Sequence, residues 1–167
     1  MIVSSNICLS CGLCYDGTLI GFVELDSKEL PILSGLMDLE DANDKGFFLQ
    51  PCNNYCDGCT IYSQRPKQCS SFKCGLLKSV EQKELDFDNA IDTISEVKHK
   101  KISIEKKIET LNIKLQAQSF YFKMIELKKL LHKNEAEYSL RQKHLELISE
   151  LDQLDNLLEN KFDLTLY

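Results

Sequence analysis

From Leu76 onward the apolar residues recur at helical spacing. One stripe passes through Phe87, Ile91 and Ile94 and resumes at Ile104, Ile108, Leu111, Leu115, Phe122 and Ile125, with Lys98, Lys101 and Gln118 interrupting it. Steps of three and four residues place these positions on one face of a helix. A second stripe, Leu140, His144, Leu147, Leu151, Leu154 and Leu158, has heptad spacing with one histidine in the seam. All 7 glycines and all 3 prolines lie at or before Gly75, so nothing in the later residues breaks a helix by composition. Ser79 with Gln82 has the form of a capping box that opens the first helix. Between the stripes, Asn134 suits a left-handed cap, and acidic residues follow it to open the next helix.

The pattern predicts a long antiparallel helical hairpin. A helix from about Asp88 to Lys133 would be roughly 69 Å long, and its partner from Glu135 to Asn160 roughly 39 Å, at 1.5 Å per residue. The shorter helix cannot cover the longer one. The stretch from Ile91 to Ile104 therefore needs another cover: the N-terminal part of the chain, a second copy, or a different protein. The apolar group Phe120, Tyr121, Phe122, Met124 and Ile125 surrounds most of the helix and is expected to pack in a core rather than line a ligand pocket.

The residues before Gly75 have a different character. Of 167 residues 8 are cysteine, and all lie in the first 74: Cys8, Cys11, Cys14, Cys52, Cys56, Cys59, Cys69 and Cys74. Cys8-x2-Cys11-Gly12-x-Cys14 and Cys52-x3-Cys56-x2-Cys59 have the spacing of metal ligands, since thiolates two residues apart on a tight turn can grip one ion. Gly12 and Gly58 allow the backbone to fold around it with amides facing sulfur. Thiolates are soft donors that suit zinc or an iron-sulfur cluster, and eight divide into two sites of four. Four thiolates on one zinc leave a net charge of about −2, which calls for amide donors or a nearby cation, with Arg65 and Lys73 as the candidates. Arg65 has two roles open to it, a fork for a substrate carboxylate or phosphate and a counter-charge to sulfur.

Disulfides would be the other use of so many cysteines. The N-terminal MIVSSNICLSCG has no basic segment, apolar core or small-residue cleavage site, so a cytoplasmic location and reduced thiols are expected. No apolar run is long enough for a membrane span. With 20 basic and 26 acidic residues the formal charge is −6, which disfavours generic nucleic-acid binding. His99, His132 and His144 stand far in sequence from the cysteines and are expected on helix surfaces or in the seam. Lys98, Lys100, Lys101, Lys106 and Lys107 form a basic stretch expected to face solvent. The chain carries no P-loop, dinucleotide fingerprint or Ser-His-Asp order.

Residues 8 to about 77 resemble the YkgJ-type cysteine-cluster family. The likeness is carried by Cys8-Leu9-Ser10-Cys11-Gly12-Leu13-Cys14, then Phe48-Leu49-Gln50-Pro51-Cys52, then Cys59-Thr60-Ile61-Tyr62-x2-Arg65-Pro66-x2-Cys69-x2-Phe72-x-Cys74. The resemblance implies zinc or iron chelation, and a similar module in the flagellin lysine methylase is associated with an iron-sulfur cluster. Tyr15 stands where that family usually has a further cysteine, and Cys56 is outside its pattern.

The sequence thus predicts an α-rich chain with two parts: a small irregular metal-stabilised cysteine module at 1–77 and a helical hairpin at 78–167. Its expected function is metal binding in a module that joins an assembly, by a protein partner or self-association, through the helical tail. The alternative is a component of an iron-sulfur redox or methyl-transfer enzyme. The sequence assigns no catalytic residue.

Overall fold

The second apolar stripe becomes the spine of the molecule. The computed structural model describes residues 2–42, 45–133 and 138–165. Helix α7 (Tyr138–Phe162) buries Leu147, Leu151, Leu154, Leu158 and Phe162. Helix α5 (Phe87–Thr110) lies antiparallel to it, as the pairs Lys100–Gln153, Ser103–Glu150 and Lys107–Glu146 show by their opposite numbering. Helix α6 (Phe120–Lys133) packs on the same helix, with Lys128 bonded to Asp155. The junction expected at Asn134, like the side chain of Leu140, lies outside what is described.

The single helix expected from Asp88 to Lys133 does not form. It stops after Thr110, where Asn112 takes a left-handed φ of 53°. The Asn112 and Ile113 amides then donate back to the carbonyls of Glu109 and Ile108, each at 3.0 Å. Asparagine tolerates this conformation because its short polar side chain relieves the strain, so it ends a helix as glycine would. The next residues have no regular secondary structure and are held where the Glu126 carboxylate accepts the Gln116 and Ala117 amides. Leu111 and Leu115 still pack on the core, from a turn and an irregular segment rather than from a helix face.

The expected capping box at Ser79 is also displaced. Helix α4 (Gly75–Glu81) begins one turn earlier with Cys74 as its N-cap, Ser79 falls inside it, and Gln82 is its C-cap. Lys83, with φ of 62°, turns the chain out. The cap of α5 is Asp86, whose carboxylate accepts the Asn89 amide at 2.9 Å.

Helix α7 matches α5 in length, and helix α1 (Ile2–Cys11) and α4 pack on α5 beside it. Ile94 and Ile104 are only 2% and 0% exposed, and Ala90 and Val97 are buried beside them. The cysteine-bearing part of the chain thus shares α5 with α7, and Ile94 and Ile104 are buried within this chain rather than available to a partner or a second copy. One apolar cluster runs from Ile7 and Leu13 through Leu76 and Leu77 to Leu158 and Phe162. The boundary expected between residues 77 and 78 falls inside α4, and this cluster draws on both sides of it.

A second cluster lies under a three-stranded antiparallel sheet, in which β3 (Lys45–Leu49) is flanked by β1 (Phe22–Glu24) and β2 (Glu40–Ala42). Val23 pairs with Phe48, and both pack with Leu25 and with Leu33 of α2 (Leu30–Leu33). Helix α3 (Lys67–Ser71) is tied to the sheet by the Glu24 amide, which donates to Gln68 Oε1 at 2.7 Å. The start of α6 is fixed against the cysteine part: the Tyr121 amide donates to the Gly17 carbonyl at 2.7 Å. A Cβ on Gly17 would stand 2.9 Å from Ser119 Cβ, and its φ of 79° suits glycine.

Truncation of Ile94 or Ile104 to Ala is expected to destabilise the chain by about 2–5 kcal/mol each, as for other large-to-small changes in a packed core. The oligomeric state should not change. Urea unfolding and sedimentation on the same samples check both points, and a wild-type oligomer that these substitutions dissociate would contradict the assigned burial.

Candidate metal centre

Each cysteine owes its place to a short local device. Cys8 and Cys11 lie on the last turns of α1, one helical turn apart, and Cys14 follows the bend at Gly12, which has φ of 70°. The Gly12 amide closes that bend on the Cys8 carbonyl at 3.1 Å. A Cβ on Gly12 would come within 2.9 Å of the Tyr55 hydroxyl and would displace it, and the φ of 70° itself suits glycine. Cys69 sits on α3 and Cys74 caps α4. Cys52 donates its amide to the Tyr15 carbonyl at 2.8 Å, which binds the second cysteine segment to the first. Tyr15 and Tyr55 stack across this junction with ring centres 4.5 Å apart.

These devices bring six of the eight thiols to one cavity. Cys8, Cys11, Cys14, Cys59, Cys69 and Cys74 line a space of about 490 Å³, together with Tyr15, Gln50, Tyr62, Arg65 and apolar side chains. All eight cysteines are free. Cys52 lies behind the wall, against the sheet-side cluster. Cys56 is exposed and does not line the cavity; its amide turns back onto the Gly58 carbonyl at 2.9 Å. Among the described residues, no three His, Cys, Asp or Glu side chains stand close enough together to hold one ion as placed. The donors therefore share a cavity without yet forming a coordination sphere.

Burial favours the protonated thiol at Cys8, Cys11, Cys14, Cys52, Cys69 and Cys74. It pushes Cys11 and Cys69 up from an ordinary 9.0 to about 12 and Cys14 well above its usual range. Neighbouring thiols add to the rise at Cys8, Cys11, Cys14, Cys52 and Cys69 by like-charge repulsion. Backbone amides oppose it: those of Leu13, Asn54, and Leu76 with Leu77 face the sulfurs of Cys11, Cys52 and Cys74. Arg65, stacked 4.0 Å above the Tyr62 ring, favours the thiolates of Cys8 and Cys69. Its counter-charge role thus has a geometric basis.

Lys73 lines the cavity, but its ammonium bonds to Glu81 at 2.7 Å. Lys98 takes a part that its sequence context hid. Rather than facing solvent, its ammonium donates to the Ser10 carbonyl at 2.8 Å and lowers the Cys11 thiol. Lys101 likewise bonds Asp16 at 2.9 Å. The signal available in the sequence was only that both lysines interrupt an apolar stripe, on the face that α1 covers. His99, His132 and His144 lie on the three long helices, and none lines the cavity.

A scan against protein-family models returned no match, and neither a curated protein nor a solved structure matched the chain.

Two outcomes follow for the metal-free chain. Iodoacetamide should label exposed Cys56 ahead of Cys11, Cys14 and Cys69, and peptide mass spectrometry over time reads the order. The buried thiols keep their protons to higher pH in the folded state than in the unfolded one. Stability should therefore be full below pH 9.0 and fall as pH rises toward 12, the range spanned by the shifts of Cys11 and Cys69. Urea midpoints at about pH 8 and about pH 10 measure this, and replacing Cys11 and Cys69 by Ala should flatten the slope.

Proposed function

We propose that the chain is a metal-binding cysteine-cluster protein, with zinc or an iron-sulfur cluster held by thiolates at the cavity between α1, α3 and α4. One observation carries this: six thiols from three separate segments of sequence line a single space, with backbone amides directed at sulfur. A buried free thiol needs neither neighbour thiols nor amide donors, and a set of structural disulfides would be paired. The donor chemistry fits a soft metal, because binding would replace the proton that burial favours on Cys8, Cys11, Cys14, Cys69 and Cys74 and would remove the repulsion between neighbours. Cys8, Cys11, Cys14, Cys59, Cys69 and Cys74 would supply the ligands, with Cys52 next in line. Arg65 and Lys98 would offset the negative charge. A bound metal would supply either a rigid cross-link or, as an iron-sulfur cluster, one-electron chemistry.

The resemblance of residues 8–77 to the YkgJ-type family points the same way. A role as an assembly subunit through the helical tail has less support than the sequence suggested, because Ile94 and Ile104 are internal. The cavity favours a component that acts on something at its thiol face over a module whose helices serve only for docking. Its roughly 490 Å³ exceeds what one ion needs, and its walls are largely apolar.

Anaerobic purification, metal analysis and a visible spectrum test the proposal. The expected result is bound zinc with no colour, or iron with acid-labile sulfide and a brown chromophore. A chain that carries neither, takes up neither on anaerobic reconstitution, and titrates as eight free thiols throughout would refute it.

A further inference from the structure

Beside its thiols, the cavity carries polar and apolar groups that supply no metal donor. Its walls come from both cores at once: buried Leu13, Leu19 and Leu77 belong to the helical cluster, and buried Val23 to the sheet-side cluster. Among the described residues, no aspartate or glutamate lines the space, and the cations that do are Arg65 and Lys73. Lys73 is already engaged, since its ammonium bonds both oxygens of Glu81, at 3.0 and 2.7 Å. Arg65 is not. Its guanidinium stacks on the exposed Tyr62 ring, and among the described residues it pairs with no carboxylate.

A second polar group faces the same need. Gln50 lines the cavity and is only 3% exposed, yet its carboxamide oxygen Oε1 accepts no hydrogen bond among the described residues. The backbone there is held, because the Gln50 amide donates to the Gly21 carbonyl at 3.0 Å. A buried acceptor without a donor is costly, and one set in a largely apolar wall points to a ligand that brings the donor with it.

From these groups we infer that the cavity binds a small organic monocarboxylate with an apolar body and an amide N–H, the chemistry of an N-acylated amino acid. Arg65 takes the carboxylate, Gln50 Oε1 accepts the N–H, and the leucine and valine walls enclose the acyl chain. The planar guanidinium fork matches a carboxylate with two parallel hydrogen bonds. One uncommitted cation balances one negative charge. A phosphate dianion would leave a surplus charge in a largely apolar space, which is costly to bury. The inference goes beyond the metal reading and does not require it, since neither Arg65 nor Gln50 is a metal donor there.

N-octanoylglycine is the probe, titrated calorimetrically into the full chain beside three analogues. Its methyl ester lacks the charge, N-octanoylsarcosine lacks the N–H, and octyl phosphate carries a different head. On wild type, which needs no variant, the ester should bind about ten- to a hundredfold more weakly than the acid and the sarcosine about fivefold more weakly. Octyl phosphate should also bind more weakly than the acid. Arg65→Gln should weaken the acid by about ten- to a hundredfold, leave the ester unchanged, and so erase the difference between them. Gln50→Leu should erase the difference between the glycine and sarcosine compounds. Absence of binding by N-octanoylglycine, equal binding of acid and ester, or tighter binding of octyl phosphate would overturn the inference. So would a preference for the acid that survives in Arg65→Gln, because the carboxylate would then be held by another group. A sarcosine penalty that persists in Gln50→Leu would overturn it as well.

Discussion

The packing of α1 on α5 is the constraint on which the rest depends. Ile7 from the helix that bears Cys8 and Cys11, and Leu13 from the bend before Cys14, bury their side chains in the cluster that holds Ala90, Ile94 and Val97. The first cysteine group therefore has no scaffold of its own. Lys98 reinforces the contact at the C-terminal end of α1, where its cation meets a helix-terminal carbonyl. Below, the Tyr121–Gly17 bond and the Lys101–Asp16 pair join the same two parts. The cysteine-bearing part thus shares the core of the long helices, which add to the burial that a small loop-rich fold can supply alone.

That arrangement sets a conflict that a metal would resolve. Placing thiols against two apolar clusters makes their ionisation costly, and placing them together makes it costlier still. The amides at Cys11, Cys52 and Cys74, with Arg65 and Lys98, offset only part of this, since Cys11 and Cys69 still stand at about 12. A soft cation at the cavity would reverse the balance, because the same low polarity that penalises a lone thiolate strengthens its attraction to an ion. The fold, the cavity and the donor chemistry are then parts of one account.

Much of this was legible in the residues, and the failures have identifiable physical causes. The heptad seam from Leu147 to Leu158 is buried, since a repeat that regular leaves one face to hide. Composition divides the chain near Gly75, but the apolar cluster draws on both sides of that boundary. The helix ends at Asn112 although neither glycine nor proline stands there, because asparagine in a left-handed cap ends a helix as glycine does, a signal that composition alone does not carry. The cap at Asp86 was hidden by the better-known pattern at Ser79. The cover over Ile94 could not be chosen from sequence, where the N-terminal segment, a second copy and another protein were equally open. Cys56 looked like its neighbours by spacing alone, and only the three-dimensional placement sets it apart.

The central claim is that thiol cavity and long helices form one cooperative unit. Hydrogen exchange read by mass spectrometry, on metal-free and metal-loaded full-length chain, tests it most directly. The account predicts that metal slows exchange in α5 at 87–110 together with the 7–19 segment, because both lie in one apolar cluster. Slowing confined to residues before Gly75, with α5 unchanged, would contradict it.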